Sequence, residues 1–403
     1  MNAPQATRNP GDLDVDFGFS GRAPFPPAMR SGKSKLLGDR RILSACSDTV
    51  TPIITMARHL WTGDLDVSYG PSGLVHIPLP EGPAPNTANL VELLVLPDDS
   101  ALVYGALGTM GEHLSFVFRV LPNGELDRAF GMDGFCILDF GGQSDLVTAL
   151  ELLDDGKIMA CVISHRTTAP AFHGSYLVRL DNGVVDTTFG ENGMGYVEAS
   201  NHPLRHLAVS ADGGYVLAGH SNDLSKAEFR QYHADGSPDL GFGENGQVLL
   251  PLPPGQAEIH QVKVQADGKI VGVGMANVGF GNHTLTARLN PDGSMDSTFN
   301  SGEPKIMVFQ GHETRSTGVD FLPDGRIVTA GYTTDPIDVI LMRMDPNGMM
   351  DMSFGINGQV ISDLGGQETC EGMEIQGDGK ILASGRRITD LPFNHLFLAR
   401  YLG

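Results

Sequence analysis

Residues 124–134 read GELDRAFGMDG, and related stretches recur along the whole chain. The other copies are GDLDVDFGFSG from Gly11, GDLDVSYGPSG from Gly63, GVVDTTFGENG from Gly183, GSPDLGFGENG from Gly236, GSMDSTFNSGE from Gly293 and GMMDMSFGING from Gly348. Successive copies start 52 to 61 residues apart. Self-similarity at a nearly fixed period predicts one repeat architecture rather than several unrelated domains.

Two further motifs recur at a constant phase inside each unit. In the fifth unit they are ADGKIVGVG at 266–274 and LTARLNPDG at 285–293. Each unit therefore reads as four strands, which we call a (after FGxxG), b (before Asp-Gly), c (after Asp-Gly) and d (around a recurring Arg). The Asp-Gly pair supplies the backbone of a tight turn between b and c. No window shows helical periodicity.

Four antiparallel strands cannot bury both faces alone, but radial repetition solves that problem and protects the edges. We therefore predict an all-β fold, a seven-bladed β-propeller with four antiparallel strands per blade, as a single domain over 1–403. The predicted blades are 31–79, 88–140, 145–198, 203–251, 256–309, 314–363 and 367–402 plus 20–28, with 1–10 as a flexible tail. The chain ends in a strand d, FLARYLG, and begins with LDxxFG. We expect the strand near Arg22–Pro26 to complete the last blade and close the ring.

The patterns DGxLDxxFGxxG, PDGKIxxxG and LARY resemble the bacterial delta-60 repeat family, and the resemblance covers Gly11 to Gly403. It implies a β-propeller and brings no catalytic residues to carry over. Departures are Tyr69 in place of the Phe, Asn300 in place of the Gly and Asp99-Ser100 in place of Asp-Gly. They concern the geometry of local turns and not the fold.

The net charge of −21 makes nucleic acid and anionic membranes poor partners, because like charges repel. The cysteines, Cys46, Cys136, Cys161 and Cys370, lie far apart in apolar stretches, so we expect buried thiols rather than disulfides or zinc. No apolar run reaches the about 20 residues of a membrane span. No signal-peptide pattern is visible, which favours a cytoplasmic location and leaves non-classical export open.

The repeated Asp of the LDxxFG motif suggests a metal site, but one carboxylate per blade lies too far from its neighbours to share an ion. We interpret these residues as structural, accepting backbone N–H groups or pairing with the Arg of strand d. The sets are Asp14, Asp66, Asp127, Asp186, Asp239, Asp296 and Asp351, and Arg58, Arg119, Arg179, Arg288, Arg343 and Arg400, with Arg230 nearby in the fourth unit. We expect no bound metal and no cofactor.

Because neighbouring strands are antiparallel, the a–b and c–d loops lie together at the end of the ring opposite the b–c turns, and we call this end the loop face. These loops vary in length and sequence, so we expect recognition at the loop face. Four histidines there lie five or six residues before a strand-d Arg, where imidazoles could bind anions, sugars or a metal: His113, His173, His283 and His395. Four aromatic residues of the c–d loops could stack on a sugar: Phe172, Phe280, Tyr332 and Phe393.

The central channel is a second candidate. If strand b is innermost, the fourth residue before each turn Asp lines it: Lys35, Leu94, Glu151, Ala208, Lys263, Asp320 and Glu374. Mixed charges there predict a solvated or salt-bridged lining. His202 and His206 form HxxxH, but four residues of strand span about 13 Å, too far for both to bind one ion.

We predict a non-enzymatic binding or scaffold protein that recognises a protein or glycan partner through the loop face, as a monomer. The alternative is a hydrolase or lyase in which His206, Glu151 or Asp320 act at the channel mouth. GxSxG, HExxH, phosphate-loop and dinucleotide motifs are absent from the sequence. The two classes of partner and the alternative of catalysis stay open at this stage.

Overall fold

The structure is a computed structural model that describes residues 8–25, 31–47, 51–80, 88–109, 112–141, 144–166, 172–190, 193–279, 281–309, 311–389 and 394–403. Within these ranges the backbone forms β-strands, with short 3₁₀ turns at Pro71–Gly73 and Asn300–Gly302. No helix in the described part of the chain has the length and apolar character needed to span a bilayer. The four cysteine side chains are buried, as the sequence predicts.

The strands follow the repeat. The first unit contains β1 (Ser31–Leu36), β2 (Ile42–Ser47), β3 (Ile53–His59) and β4 (Leu74–Pro78). The second contains β5 (Ala88–Val95), β6 (Ala101–Thr109), β7 (Glu112–Val120) and β8 (Phe135–Leu138), and the third contains β9 (Ser144–Leu152), β10 (Ile158–Arg166), β11 (Phe172–Asp181), β12 (Val184–Val185) and β13 (Tyr196–Ser200). The fourth contains β14 (Leu204–Val209), β15 (Tyr215–His220), β16 (Ala227–Tyr232) and β17 (Gln247–Leu249).

The later units repeat this order. The fifth contains β18 (Ala257–Val264), β19 (Ile270–Asn277), β20 (Asn282–Leu289) and β21 (Lys305–Met307). The sixth contains β22 (Thr314–Phe321), β23 (Ile327–Thr333), β24 (Val339–Met344) and β25 (Gln359–Ser362), and the seventh contains β26 (Gln367–Ile375), β27 (Ile381–Ile388) and β28 (Asn394–Tyr401).

Strands b, c, d and a lie side by side in chain order, and neighbours within a unit are antiparallel. A single parallel bridge, His113 to Ser144, joins the sheets of the second and third units. Each b strand contacts the b strand of the next unit, in the order β1, β5, β9, β14, β18, β22 and β26. The last of these, β26, also contacts β1. Strand b is therefore the innermost strand, which the sequence left undecided.

An N-terminal segment lies beside β28, where other units have strand a. Arg22 forms an antiparallel bridge with Ala399, and Ala23 N donates to Leu398 O at 2.9 Å. Asp14 N donates to Arg400 O at 2.8 Å. Of the range predicted to pair there, Pro26 lies outside the described residues.

In six of the seven motifs the Asp is bound by the Arg of strand d. The Nε–Oδ2 distances are 2.6 to 2.9 Å in Arg58–Asp66, Arg119–Asp127, Arg179–Asp186, Arg288–Asp296, Arg343–Asp351 and Arg400–Asp14. Each guanidinium also lies over the aromatic ring three residues after the Asp, at 4.4 to 5.4 Å from its centroid. The predicted pairing is confirmed, and it accounts for the repeated carboxylates without a metal.

The fourth unit departs from this arrangement. Gln231 takes the place of the arginine, and its carbonyl accepts the N–H of Asp239 at 2.9 Å. Arg230 instead donates to Glu228 at 2.6 Å, and His202 Nε2 lies 2.9 Å from the same carboxylate. Arg230, which the sequence places near but outside the arginine set, lies one residue before the position of the other arginines, so its side chain points to the opposite face of the strand.

Glycines lock each unit onto the next. Gly183 has φ +80°, and a Cβ there would lie 2.7 Å from Gly131 N and 2.8 Å from the Phe130 ring. The same contact with the preceding unit's aromatic ring recurs at Gly63, Gly124, Gly236, Gly293 and Gly348. Only a residue without a side chain permits this close approach at positive φ.

Candidate functional site

The inner strands carry a recurring irregularity. In every described unit but the first, strand b contains one extra residue opposite strand c, which is a β-bulge. The extra residues are Val91, Thr148, Arg205, His260, Thr317 and Glu371. A bulge turns a side chain away from the regular alternation and is frequent beside functional sites.

The polar bulge residues gather at one place on the axis. A cavity of about 250 Å³ is lined by Thr148, Arg205, His260, Thr317 and Glu371, together with Lys33, Lys35, Glu92, Leu146, His206, Gln261, Gly372 and Met373. Every unit contributes to this lining through its b strand. We call this space the axial cavity. Because the Arg205 side chain is 48% exposed, the cavity opens to solvent beside it.

One wall of the cavity is held by ion pairs between units. Glu92 lies 3.3 Å from both Lys33 Nζ and Lys35 Nζ, and Lys35 also lies 3.3 Å from Glu374. These groups lie on three different units. The predicted salt-bridged lining is therefore present, and it joins the first unit to both of its neighbours.

Two of the predicted channel carboxylates bind the next inner strand. Asp320 accepts from Ile375 N at 3.0 Å and pairs with Lys263 at 2.9 Å. Glu374 accepts from Leu36 N at 2.5 Å. Among the residues predicted for the channel, Lys35 and His206 line the axial cavity, whereas Glu151, Lys263, Asp320 and Glu374 do not.

Burial and nearby charges shift the pKa values of two side chains that line the cavity. Burial lowers the pKa of His206 to about 4, against the pull of Glu92, so the imidazole is neutral at pH 7. Its Nδ1 accepts from Val262 N at 3.5 Å, which leaves the proton on Nε2. Burial opposes ionisation of Glu92, but Lys33 and Lys35 outweigh it and lower the pKa to about 2.

Glu258 organises the open side. It accepts from Arg205 Nε at 2.8 Å and lies 3.6 Å from His260 Nε2, while His260 Nδ1 donates to Ser316 O at 2.8 Å. Burial opposes ionisation of Glu258, but the neighbouring His260 and Arg205 side chains outweigh it and lower the pKa of Glu258 to about 2. Arg205 and His260 are thus held in place as hydrogen-bond donors at the cavity.

Glu151 lies in β9, and burial raises its pKa to about 7. Because the folded state then binds a proton more tightly than the unfolded state, the free energy of unfolding falls as pH rises from about 4.5 to about 7. Glu151→Gln should therefore stabilise the protein by about 1 to 3 kcal/mol at pH 8 and change little at pH 4. Urea denaturation at both pH values measures this. The exposed Glu244→Gln is the control, and an equal gain for it would contradict the assignment.

The four histidines predicted on the loop face do not converge. Each is the second residue of its strand d. His113 and His173 lie six residues before the strand Arg, and His283 and His395 lie five before, so the two pairs point to opposite faces of their sheets. His113 Nδ1 lies 3.2 Å from Ser144 Oγ, and His173 packs edge-on against His165. None of the four lines the axial cavity.

The predicted aromatic platform is largely outside the described structure. Phe280 and Phe393 fall outside the described residues, and so does the side chain of Phe172. Tyr332 is half-buried in β23, paired with Arg315. The stacking role of these residues stays a prediction.

Sequence reasoning missed Lys33, Glu92 and the bulged residues Arg205, His260 and Glu371. A signal was present: in most units both the fifth and the eighth residue before the turn Asp are apolar, as in Leu207 and Leu204. A spacing of three breaks the period of two expected in a strand, and a bulge between the positions restores it.

Comparison with known proteins agrees with this architecture. Residues 265–299 and 322–354 match a family described as "Domain of unknown function (DUF5122) beta-propeller". No curated protein matches the sequence. Among solved structures, a catalytically inactive virginiamycin B lyase from Staphylococcus aureus, crystallised with quinupristin, superposes with a TM-score of 0.55 at 8% identity, covering 94% of this chain and 97% of that one.

Two weaker similarities are the polysaccharide lyase Uly1 and Sqt1 of Chaetomium thermophilum, the latter bound to the N-terminus of a ribosomal protein. Uly1 has a TM-score of 0.49 at 9% identity over 96% of this chain and 93% of its own. Sqt1 has 0.49 at 13% identity over 91% and 81%. At such identities only the fold is shared. The family match and the lyase superposition together show that the chain is all-β with a β-propeller fold.

Proposed function

We propose that this chain is a closed, seven-bladed propeller of the delta-60 repeat type, folded as one domain, that binds a small, acidic, polar ligand in the axial cavity. The observation that carries the proposal is the convergence of bulged polar side chains from successive units on one solvent-open cavity. Side chains re-aimed at the same point in several repeats are better explained by a shared ligand than by packing.

Hydrogen bonds across both sides of the N-terminal motif support closure. Gly18 N donates to Thr62 O at 2.6 Å, toward the first unit, and Gly355 N donates to Pro10 O at 2.8 Å, toward the sixth. Together with the pairing of Arg22 and Ala23 to β28, they support a role for the motif as strand a of the seventh blade. A closed ring leaves only short, protected sheet edges, which favours a monomer.

The charge of the cavity favours an acidic ligand. Three cationic side chains, Lys33, Lys35 and Arg205, line it, against the carboxyl groups of Glu92 and Glu371. Glu92 pairs with both lysines, while Glu374 and Glu258, which are not part of the lining, pair with Lys35 and Arg205. Among the lining side chains themselves the cationic groups outnumber the carboxyl groups, and Thr148, Gln261 and Thr317 add hydrogen-bonding groups. A carboxylate-bearing sugar or a small hydroxy acid fits this chemistry.

The test is isothermal titration of the full chain with glucuronate, galacturonate and citrate, each compared with a neutral analogue such as glucose. We expect Arg205→Ala and Lys33→Ala to weaken binding of the acidic probe by about 10- to 100-fold, because each removes a charged donor. Arg128→Ala is the control, since Arg128 lies 70% exposed in a surface pair. Binding that these cavity variants leave unchanged would contradict the proposal.

Recognition of a protein or a glycan by the loop face would appear in the same experiments as a different pattern. A glycan array or pull-down signal that His173→Ala abolishes and Arg205→Ala leaves intact would favour the loop face over the cavity.

Catalysis is the second candidate, and one observation favours it: neutral His206 shares the cavity with Lys33 and Lys35. The Nε2–H of the neutral imidazole can donate a hydrogen bond to a substrate oxygen on which negative charge develops, and the neighbouring ammonium groups stabilise the same charge. If the protein turns over a bound acidic sugar, and His206→Gln abolishes turnover without loss of binding, the protein is an enzyme.

A further inference from the structure

Three carboxylates lie together between the sixth and seventh units, outside the axial cavity. Asp338 immediately precedes β24, Asp363 follows β25, and Glu368 lies in β26. One oxygen of each side chain lies within 4.8 Å of the others. Three separate segments of the chain thus bring their acidic groups to one point.

The backbone fixes all three positions. Asp338 N donates to Thr333 Oγ1 at 2.9 Å. Gly365 N donates to Asp363 Oδ1 at 2.7 Å, and Leu364 N donates to Glu368 Oε2 at 3.3 Å. Glu368 N donates to Ile337 O at 2.7 Å, which ties β26 to the loop before β24. The grouping is therefore set by the fold and not by free side-chain rotation.

Glu368 adds an independent observation. Its side chain is fully buried at 0% exposure, and its Oε1 has no hydrogen-bond partner among the described residues. A buried carboxylate oxygen without a partner is costly, and such groups in native proteins usually have a ligand. Asp338 is also buried, whereas Asp363 is exposed and leaves the group open to solvent.

The three carboxylates repel one another, and the nearby His312 and Arg387 side chains offset this repulsion only in part. Burial raises the pKa of Asp338, and the nearby Asp363 raises it further. Burial likewise raises the pKa of Glu368, and both Asp363 and Asp338 add to the effect. The repulsion among the three groups is what a cation bound between them would remove.

We propose that Asp338, Asp363 and Glu368 bind a calcium ion at the junction of the sixth and seventh units. All three ligands are carboxylate oxygens, which hard divalent cations prefer, whereas zinc prefers nitrogen and sulfur. Calcium accepts irregular oxygen geometry and completes its shell with water, while magnesium requires a near-ideal octahedron.

The site is distinct from the proposed ligand cavity but is linked to it through β26. Glu368 lies three residues before Glu371, which lines the axial cavity. A bound ion would hold β26 to the loop before β24 and so fix the start of the strand that supplies Glu371. Because calcium binding is measured without the acidic ligand, failure of one proposal leaves the other standing.

The test is calcium titration of the chelator-treated full chain, by calorimetry and by thermal unfolding. We expect one saturable site and a rise of about 1 to 3 °C in the unfolding midpoint at saturating calcium. Asp363→Asn should weaken calcium binding at least about tenfold. In chelator the same variant should unfold at the same or a higher temperature than the parent, since it removes repulsion, whereas a purely structural Asp363 would give a lower midpoint.

A matched control exists at the junction of the second and third units. Asp139 makes the same turn, accepting from Gly141 N at 2.7 Å, and Asp145 accepts from Phe140 N at 2.7 Å as Glu368 does from Leu364 N. No third carboxylate is grouped with this pair among the described residues. Asp139→Asn should leave calcium affinity unchanged. Absence of saturable calcium binding, or equal weakening by Asp139→Asn, would overturn the proposal.

Discussion

Asp14→Ala should lower the free energy of unfolding by about 3 to 5 kcal/mol, which is the usual cost of removing one partner from a buried ion pair. Asp14 and Arg400 are each 1% exposed, and Arg400 contacts the carboxylate at 2.8 Å. Lys380 Nζ lies 3.1 Å from the same oxygen. Burial alone would raise the pKa of Asp14, but Lys380 and Arg400 outweigh it and lower the pKa, so the carboxylate is charged at neutral pH. The alanine variant leaves Lys380 and Arg400 without this carboxylate.

Urea denaturation of the parent and the variant, with the slope compared, measures this loss. Asp16→Ala is the matched control two residues along the same motif, because Asp16 is 68% exposed and pairs only at the surface. Its expected effect is about 0 to 1 kcal/mol. Similar losses for the two variants would mean that the contact between the two ends of the chain contributes little to stability.

Gly183→Ala should cost about 2 to 5 kcal/mol. An alanine at φ +80° is strained by about 1 to 2 kcal/mol, and its Cβ would also press on Gly131 N and the Phe130 ring. Since backbone lies on one side of this contact, the clash cannot be relieved by rotating a side chain.

Gly156→Ala isolates the first contribution, the backbone strain. Gly156 belongs to the same unit and has φ +81°, but a Cβ there meets nothing within 4 Å. This variant should therefore carry only the backbone strain, about 1 to 2 kcal/mol. If both variants lose the same stability in urea, the locking contact between the second and third units is energetically unimportant.

The repeat made much of the fold predictable. Because the motifs recur at one phase, the strand order and the pairing of Asp127 with Arg119 follow from the pattern, and both are found. The identity of the innermost strand could not be predicted, because the sequence motifs of a blade are the same whichever edge of its sheet faces inward. Gln231 was missed for a related reason: in the fourth unit Arg230 mimics the motif one residue out of phase.

The site was predictable only in part. Lys35 was placed in the channel by counting back from the turn, and His206 was predicted at the channel mouth; both line the axial cavity. Arg205 and His260 were not predicted, because a β-bulge shifts the alternation of side chains between the two faces of a strand. No residue type marks the position of such a bulge. Asp338, Asp363 and Glu368 come from three separate segments with no periodic spacing, so only folding reveals that they meet.

The ion pair between Asp14 and Arg400 can form only after the chain has been synthesised almost to its last residue. Its partners lie 386 residues apart. At about 5 to 20 residues per second, the arginine is made about 20 to 80 s after the aspartate. Throughout that interval the N-terminal motif exists without its counter-ion and its neighbouring strand, and early units can pair only with one another. Chaperone dependence of the nascent chain is therefore expected to be greatest just before the last strand is complete.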